Sequence, residues 1–166
     1  MNKKVGLDYF SFDVDFFHDE KIQFVSARFG AKGEAIAVRL LCKIYRQGYY
    51  TDWSDDIALL FAKGVGDGVS HSCVNDVVNE LVKRGFFDRD ILDRFSILTS
   101  RGIQKRFFGA CAKTKRMAVA YNPDYMLIDV LDYLKSEHLR ISAEFIPQNS
   151  KFCPQNSEFS AQKKGK

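Results

Sequence analysis

The sequence lacks the short signatures of a metal centre, a nucleotide loop or a nucleophilic active site. Its four cysteines, Cys42, Cys73, Cys111 and Cys153, stand far apart, with no CxxC and no Cys/His pair at zinc-finger spacing. Cys42 and Cys73 fall in helical apolar stripes and are read as buried thiols. GVGDG (64–68) has no following Gly-Lys-Ser/Thr and does not join a strand to a helix in a βαβ unit, so it is not read as a phosphate loop. His71 has no nearby Cys or Ser pairing that suggests a nucleophile, and His18 and His138 read as surface residues. Asp13, Asp15, His18, Asp19 and Glu20 look like a metal cluster on paper. Alternation, however, puts the first two aspartates on a solvent face, and Asp19 is better used as a helix cap. No catalytic residue, metal or cofactor is expected.

Long apolar runs are also missing. None approaches the roughly 20 residues that cross a bilayer. MNKKVGLDYFSFDVD carries two lysines but no apolar stretch before its acids, so it does not read as a signal peptide. A cytoplasmic protein with no membrane partner is expected. Proline is scarce, with three residues, and tryptophan occurs once, against 15 Phe and 7 Tyr. A chain of 166 residues holds one good-sized core, here an aromatic-rich one.

Acids are what the second half lacks. Residues 1–98 hold 13 Lys/Arg and 15 Asp/Glu, whereas residues 99–166 hold 12 and 6. Within 99–120 stand Arg101, Lys105, Arg106, Lys113, Lys115 and Arg116, with no acid among them. This asymmetry suits an anionic partner such as nucleic acid. A solvated helix face leading into a polar tail is the other reading.

Residues 8–17, DYFSFDVDFF, alternate, with Phe10, Phe12, Val14 and Phe16 on one side, which predicts a half-buried strand or extended arm. Asp19 suits the N-cap of a helix to about Phe29, stopped by Gly30. A second helix from Lys32 to Gln47 carries Ile36, Leu40, Leu41 and Ile44 and is closed by Gly48. YYTDW (49–53) is a candidate short strand. Ser54, Asp55 and Asp56 start a third helix to about residue 63, expected to bury Ile57, Leu60 and Phe61. Ser70 or Ser72 caps a fourth helix to Arg84, with an apolar stripe of Val74, Val77, Val78, Leu81 and Val82. Ser100 caps a fifth helix to about Lys115, with Ile103, Phe107, Phe108 and Cys111 facing the core. Residues 124–139 can hold a strand and a helix. PQNSKF (147–152) recurs as PQNSEF (154–159), and the lysine-rich end reads as a polar linker that can lead to a further domain.

This order gives an α+β, mainly α fold: a winged helix-turn-helix with an N-terminal strand or arm and a C-terminal extension. Residues 1–118 would form the winged-helix domain, 119–140 a small strand/helix extension and 141–166 a polar linker or tail. Helix 55–63 would be the supporting helix and 72–84 the recognition helix, joined by a turn longer than the ~3–4 residues of a tight helix-turn-helix. In FFDRDILDRFSILT (86–99), Phe86 and Phe87 would open the wing as one strand and Ile97–Thr99 return as the other. Between them Asp88 caps a helical turn with Ile91 and Phe95 on its inner face.

KKVGLDYFSFDVDFF, RFGAKGEAIAVRLLCKIY, ELVKRGFFD and ILTSRGIQKRFF resemble the N-terminal domain of phage and mobile-element replisome organizers, a family related to DnaD-like replication initiators. The resemblance covers about residues 3–116. It implies a winged helix and a role in recruiting replication machinery to DNA, with replication proteins such as a helicase or its loader as partners. It brings no catalytic residues, and its DNA contacts do not map one by one.

Site residues therefore rest on geometry and charge. His71, Ser72, Asn75 and Asn79 lie near the start of the recognition helix, where asparagine can pair with adenine, and Lys83 and Arg84 end it. Asp76 and Glu80 cancel those two cations. In the wing Asp88, Asp90 and Asp93 outnumber Arg89 and Arg94. The six cations of 101–116 are the better phosphate contacts, with sequence-independent, salt-sensitive binding. Two functions follow: a non-enzymatic DNA-binding module, or a protein-interaction or oligomerisation module using the aromatic arm to pair with a neighbour's sheet edge.

Overall fold

Asp19 accepts a hydrogen bond from the Lys21 amide at 2.9 Å and so starts α1 (Glu20–Gln47) as its N-cap. The computed structural model describes residues 5–66, 68–114, 118–134 and 140–143. Gly30 breaks α1 with φ 63° and ψ −154°, so the two helices expected from sequence are two limbs joined at a kink. Gly33 sits in the crook. A Cβ there would lie 2.8 Å from Val25 Cγ1 and from Phe29 Cβ. The second limb buries Ile36, Leu40, Leu41, Ile44 and Tyr45 and is the central post of the core.

β1 (Thr51–Asp52) follows and pairs antiparallel with β2 (Ile97–Leu98), Thr51 opposite Leu98 and Asp52 opposite Ile97. Ser54 caps α2 (Asp55–Val65) and Ser70 caps α3 (His71–Lys83), accepting from the Ile57 and Cys73 amides. α3 lays Val74, Val77, Val78, Leu81 and Val82 against α1 and α2. α2 packs differently from expectation. Ala58 and Ala62 are its buried residues, Ile57 and Phe61 are half-buried, and Leu60 is 71% exposed. Small side chains at the contact let neighbouring helix axes approach closely, which turns the leucines outward.

The segment 86–99 is mainly one helix. Asp88 caps α4 (Arg89–Phe95), accepting from the Ile91 amide at 2.9 Å, and Ser96 ends it in the left-handed region at φ 54°. The expected first wing strand is absent: Phe86 and Phe87 form no strand. A single hydrogen bond, Asp88 N–H to the Thr99 carbonyl at 2.9 Å, links the two sides. β2 is paired on one edge with β1, and the ring of Phe87 is fully buried.

The arm 8–17 is not a strand either. The Asp13 side chain accepts the Asp15 amide and the Phe16 amide bonds the Asp13 carbonyl, a local turn that runs into a 3-10 helix at Phe16–His18. Val14 points to solvent, while Phe16 is buried and Phe10 stacks at 4.6 Å on Tyr45. Upstream, the Leu7 amide bonds the Tyr45 carbonyl at 2.7 Å, fastening the arm to its own chain. The thiols also differ from expectation: Cys42 is exposed and Cys73 half-buried, because both lie at the edges of their stripes, and Cys111 is buried. Cys153 and His138 lie outside the described residues, as does the repeat-containing tail.

Ser100 caps α5 (Arg101–Lys113), which seats Ile103, Phe107, Phe108 and Cys111 in the core as the spacing predicts. Beyond it come β3 (Ala118–Tyr121), a 3-10 turn at Pro123–Tyr125, α6 (Leu131–Leu134) and β4 (Arg140–Ala143), which pairs parallel with β3. Buried Gln104 holds this extension. Its Nε2 donates to the Tyr125 carbonyl and its Oε1 accepts the Leu127 amide, each at 2.8 Å. The Asn122 amide donates to the Tyr49 hydroxyl, also at 2.8 Å. The fold is α+β and mainly helical.

Candidate nucleic-acid interface

α3 shows solvent a short polar face: Ser72, Asp76, Asn79 and Lys83 are exposed. His71 and Asn75 are turned aside from it. Asn75 Nδ2 donates to Asp55 Oδ1 at 3.0 Å and lies 3.1 Å from His71 Nε2, tying the start of α3 to the start of α2. Arg84 is also occupied. Its Nε donates to Glu80 Oε1 at 2.7 Å, and its guanidinium lies 3.6 Å from the centroid of the Phe24 ring. Glu80 is 5% exposed, covered by Arg84 and by Arg28 at 3.3 Å. Hydrogen bonding from Arg84, with the charges of its neighbours, holds its carboxyl below the usual carboxylate range despite burial. The outer face of α3 thus keeps one acid and one lysine.

On α4, Arg89 and Arg94 are exposed, with the Arg94 guanidinium 4.9 Å from the Phe95 ring centroid, beside exposed Asp90 and Asp93. α5 is the uniform surface. Arg101, Lys105, Arg106 and Lys113 are all exposed, opposite a fully buried apolar stripe, and no acid occurs between Arg101 and Thr114. Lys115 and Arg116 lie outside the described residues. These cations are not brought together with the α3 face by any described contact.

Sequence reading missed a cleft of about 460 Å³ between the arm, the start of α1 and the first turn of α5. Phe10, Phe12, Tyr45, Arg101 and Arg106 line it, with Asp13, Asp15 and Asp19 on the arm and cap side. Tyr45 is 1% exposed, and its hydroxyl has no hydrogen-bond partner among the described residues. Burial pushes the phenol pKa up, and the Arg106 guanidinium, near but outside hydrogen-bond geometry, draws it partly back. Arg106 folds back over the helix start, with Nη1 3.8 Å from where a Cβ on Gly102 would stand. No spacing rule marks an unpaired hydroxyl on an apolar stripe, so Tyr45 reads from sequence as core. Reading α1 only for its apolar face likewise hid a shallower groove of about 320 Å³ with Arg39, Lys43, Arg46 and no acid. There Arg39 Nη1 donates to the Gly64 carbonyl at 3.0 Å, so it also pins the end of α2. No group of three or more His, Cys, Asp or Glu among the described residues is arranged to hold a metal, and no described helix is long and apolar enough to cross a membrane.

Residues 9–103 match the family described as Lin1244/Lin1753-like, N-terminal. The chain is 40% identical over 126 residues to a Listeria innocua serovar 6a protein named "Uncharacterized phage-related protein Lin1244/Lin1753". That match covers 76% of this chain and 40% of the relative, so the chain spans well under half of the relative's length. No solved structure matches it. With more than half of its residues inside the matched region, the chain belongs to the phage-related Lin1244/Lin1753-like N-terminal family.

Proposed function

We propose that this chain is a non-enzymatic DNA-binding module of a phage replication-initiation or replisome-organizer protein, acting in the cytoplasm. One observation carries the reading: α5 exposes Arg101, Lys105, Arg106 and Lys113 with no acid between them, while its other face is sealed in the core. A rigid helix with this charge can neutralise successive phosphates without reading bases. The phage setting is supported by the name of the Listeria relative.

A variant winged helix-turn-helix suits this role. It is supported by the order α1, β1, α2, α3, α4, β2, by the antiparallel β1–β2 pair, and by the Asp88–Thr99 hydrogen bond where a wing would begin. In this variant α4 replaces the wing hairpin, and Ser72, Asn79 and Lys83 are the α3 side chains left to reach bases. His71, Asn75 and Arg84 hold the module together instead. Kinship with DnaD-like initiators would make a helicase or its loader the protein partner.

The test is fluorescence anisotropy with labelled duplex DNA across a salt series. Each phosphate contact contributes a slope of about −0.9 in log K against log salt. The double variant Lys105→Glu/Lys113→Glu should flatten the slope and weaken binding. Undetectable binding at low salt, or an unchanged slope, refutes the reading.

An interaction or oligomerisation module is favoured by a different observation. Leu59 and Leu60 stand adjacent and exposed on α2, at 57% and 71%. The arm is a poorer candidate for strand exchange, since it is fastened to its own Tyr45. Light scattering of the chain and of Leu59→Ser/Leu60→Ser decides: an oligomer that dissociates in the variant supports this reading, and a monomer in both removes it.

A further inference from the structure

The cleft between the arm and α5 combines three features that one ligand would explain. The first is an open helix start. Ser100 Oγ accepts the Ile103 amide, and the Ser100 carbonyl accepts that of Gln104. The amides of Arg101 and Gly102 have no acceptor within the helix, and the helix dipole adds positive potential there. Gly102 has no side chain to cover that end, and Arg106 leans over it.

The second feature is the Tyr45 hydroxyl. It is removed from water and unpaired, an arrangement that is costly and uncommon in a settled core. An acceptor entering the cleft would satisfy it beside the Arg106 guanidinium once the side chains that now seal it from water, Phe10 among them, move aside. The third is aromatic. Phe12 is 42% exposed and leans on Phe16 at 4.8 Å, while Phe10 covers Tyr45, so the arm offers a flat ring backed by other rings. Charge in the cleft is divided. The acids Asp13, Asp15 and Asp19 belong to the arm and the α1 cap, and Arg101 and Arg106 belong to α5. Lys21 on the remaining side reaches the Gly85 carbonyl at 3.4 Å.

We infer that this cleft binds one unstacked nucleotide of single-stranded DNA, its phosphate at the α5 start, Arg106 and the Tyr45 hydroxyl, and its base on Phe12. The inference rests on the DNA-binding reading and deepens it. Exposed aromatics beside cations are how sequence-tolerant single-strand sites are built, each base stack adding affinity without selecting a base. A duplex keeps its bases stacked inside and would meet only the outer cations.

The test measures anisotropy of the full chain with a labelled oligo-dT strand and with a duplex, and uses thymidine 5′-monophosphate and inorganic phosphate as competitors. Tyr45→Phe and Phe12→Ala should each weaken single-strand binding by about 5-fold or more, the low end of what one stack supplies, with duplex affinity within about 2-fold of wild type. Tyr45→Phe should also melt no lower than wild type, because it deletes an unpaired buried group, so misfolding cannot account for its loss. The monophosphate should compete better than phosphate. Unchanged single-strand affinity in both variants overturns the inference. So does equal competition by inorganic phosphate, which would leave an anion site without a base platform. Binding of the monophosphate without binding of the strand would overturn the single-strand assignment. Lys105 and Lys113 lie outside the cleft, so Lys105→Glu/Lys113→Glu tests the α5 reading separately from these variants.

Discussion

Glu80 and Arg84, one turn apart on α3, form a 2.7 Å ion pair whose carboxylate is nearly inaccessible although it is covered by side chains and not by the deep core. Arg28, from the first limb of α1, closes the pair at 3.3 Å. The pair therefore joins two helices and also removes Arg84 from the surface where it would meet DNA. Removing the acid takes from the partly buried Arg84 its partner, while half-exposed Arg28 keeps its water: Glu80→Ala should cost about 1 kcal/mol by urea denaturation, and Glu80→Leu should not restore it. A loss below about 0.5 kcal/mol would mean the pair is ornamental, as exposed pairs usually are.

The same carboxylate gives a pH dependence with a defined sign. Its native pKa is lowered below the model-peptide value of 4.5, chiefly by the Arg84 hydrogen bond. The folded state therefore holds its proton less tightly than the unfolded chain. The stabilisation is complete above the unfolded pKa and disappears as pH falls through the lowered native one. Urea midpoints taken from pH 7 down to pH 3 should fall less in Glu80→Gln than in wild type. Parallel curves would show that other carboxylates carry the acid sensitivity.

Thr99 is fully buried where β2 meets α5, donating its hydroxyl to the Tyr49 carbonyl at 2.6 Å and lying 3.3 Å from Gln104 Nε2. Thr99→Val keeps the shape and leaves that carbonyl unpaired, which should cost about 1–3 kcal/mol. Gln104 retains Tyr125 and Leu127 in that variant, so proteolysis of the 122–130 segment should stay slow. Rapid cleavage there would mean that Thr99 sets the Gln104 rotamer.

How far the sequence carried depended on whether the deciding interaction was local. The caps Asp19, Ser54, Asp88 and Ser100 each act within a turn, and all four helices start where their spacing predicts. The buried stripe of α5 was readable for the same reason. The arm departs from its alternation because a local competitor, the Asp13 turn, outweighs period two. Phe86 and Phe87 have strand-forming side chains, but the chain turns into α4 at the Asp88 cap, and only the Asp88 amide reaches Thr99. Of the candidate site, the cations of α5 were visible as composition. The occupation of Arg84, His71 and Asn75 was not, since Phe24, Arg28 and Asp55 lie far away in sequence.

Gly33 supports the kink by what it lacks. A Cβ would press on Val25 and Phe29 at 2.8 Å, and 3.2 Å from the Val25 carbonyl, so the two limbs of α1 close only over a bare backbone. In an ordinary helix, glycine to alanine gains about 0.5–1 kcal/mol. Here Gly33→Ala should instead cost about 1–3 kcal/mol through overpacking. A stabilised variant in thermal unfolding would show that the limbs can open without loss.

α2 supplies the sharpest contrast between hydrophobicity and burial. Leu60 is the larger apolar side chain and faces water, whereas Ala62, two residues on, is 3% exposed in the core. Leu60→Ser should therefore change stability by no more than about 0.5 kcal/mol, as surface substitutions do. Ala62→Leu adds a more hydrophobic residue and should destabilise by about 1–3 kcal/mol, because a close-packed helix contact has no room for three further carbons. Chemical denaturation of both variants at micromolar concentration reads the difference directly. If Leu60→Ser proves the more damaging, Leu60 is buried in solution against a second molecule, and the gap between variant and wild type should then shrink as the protein is diluted.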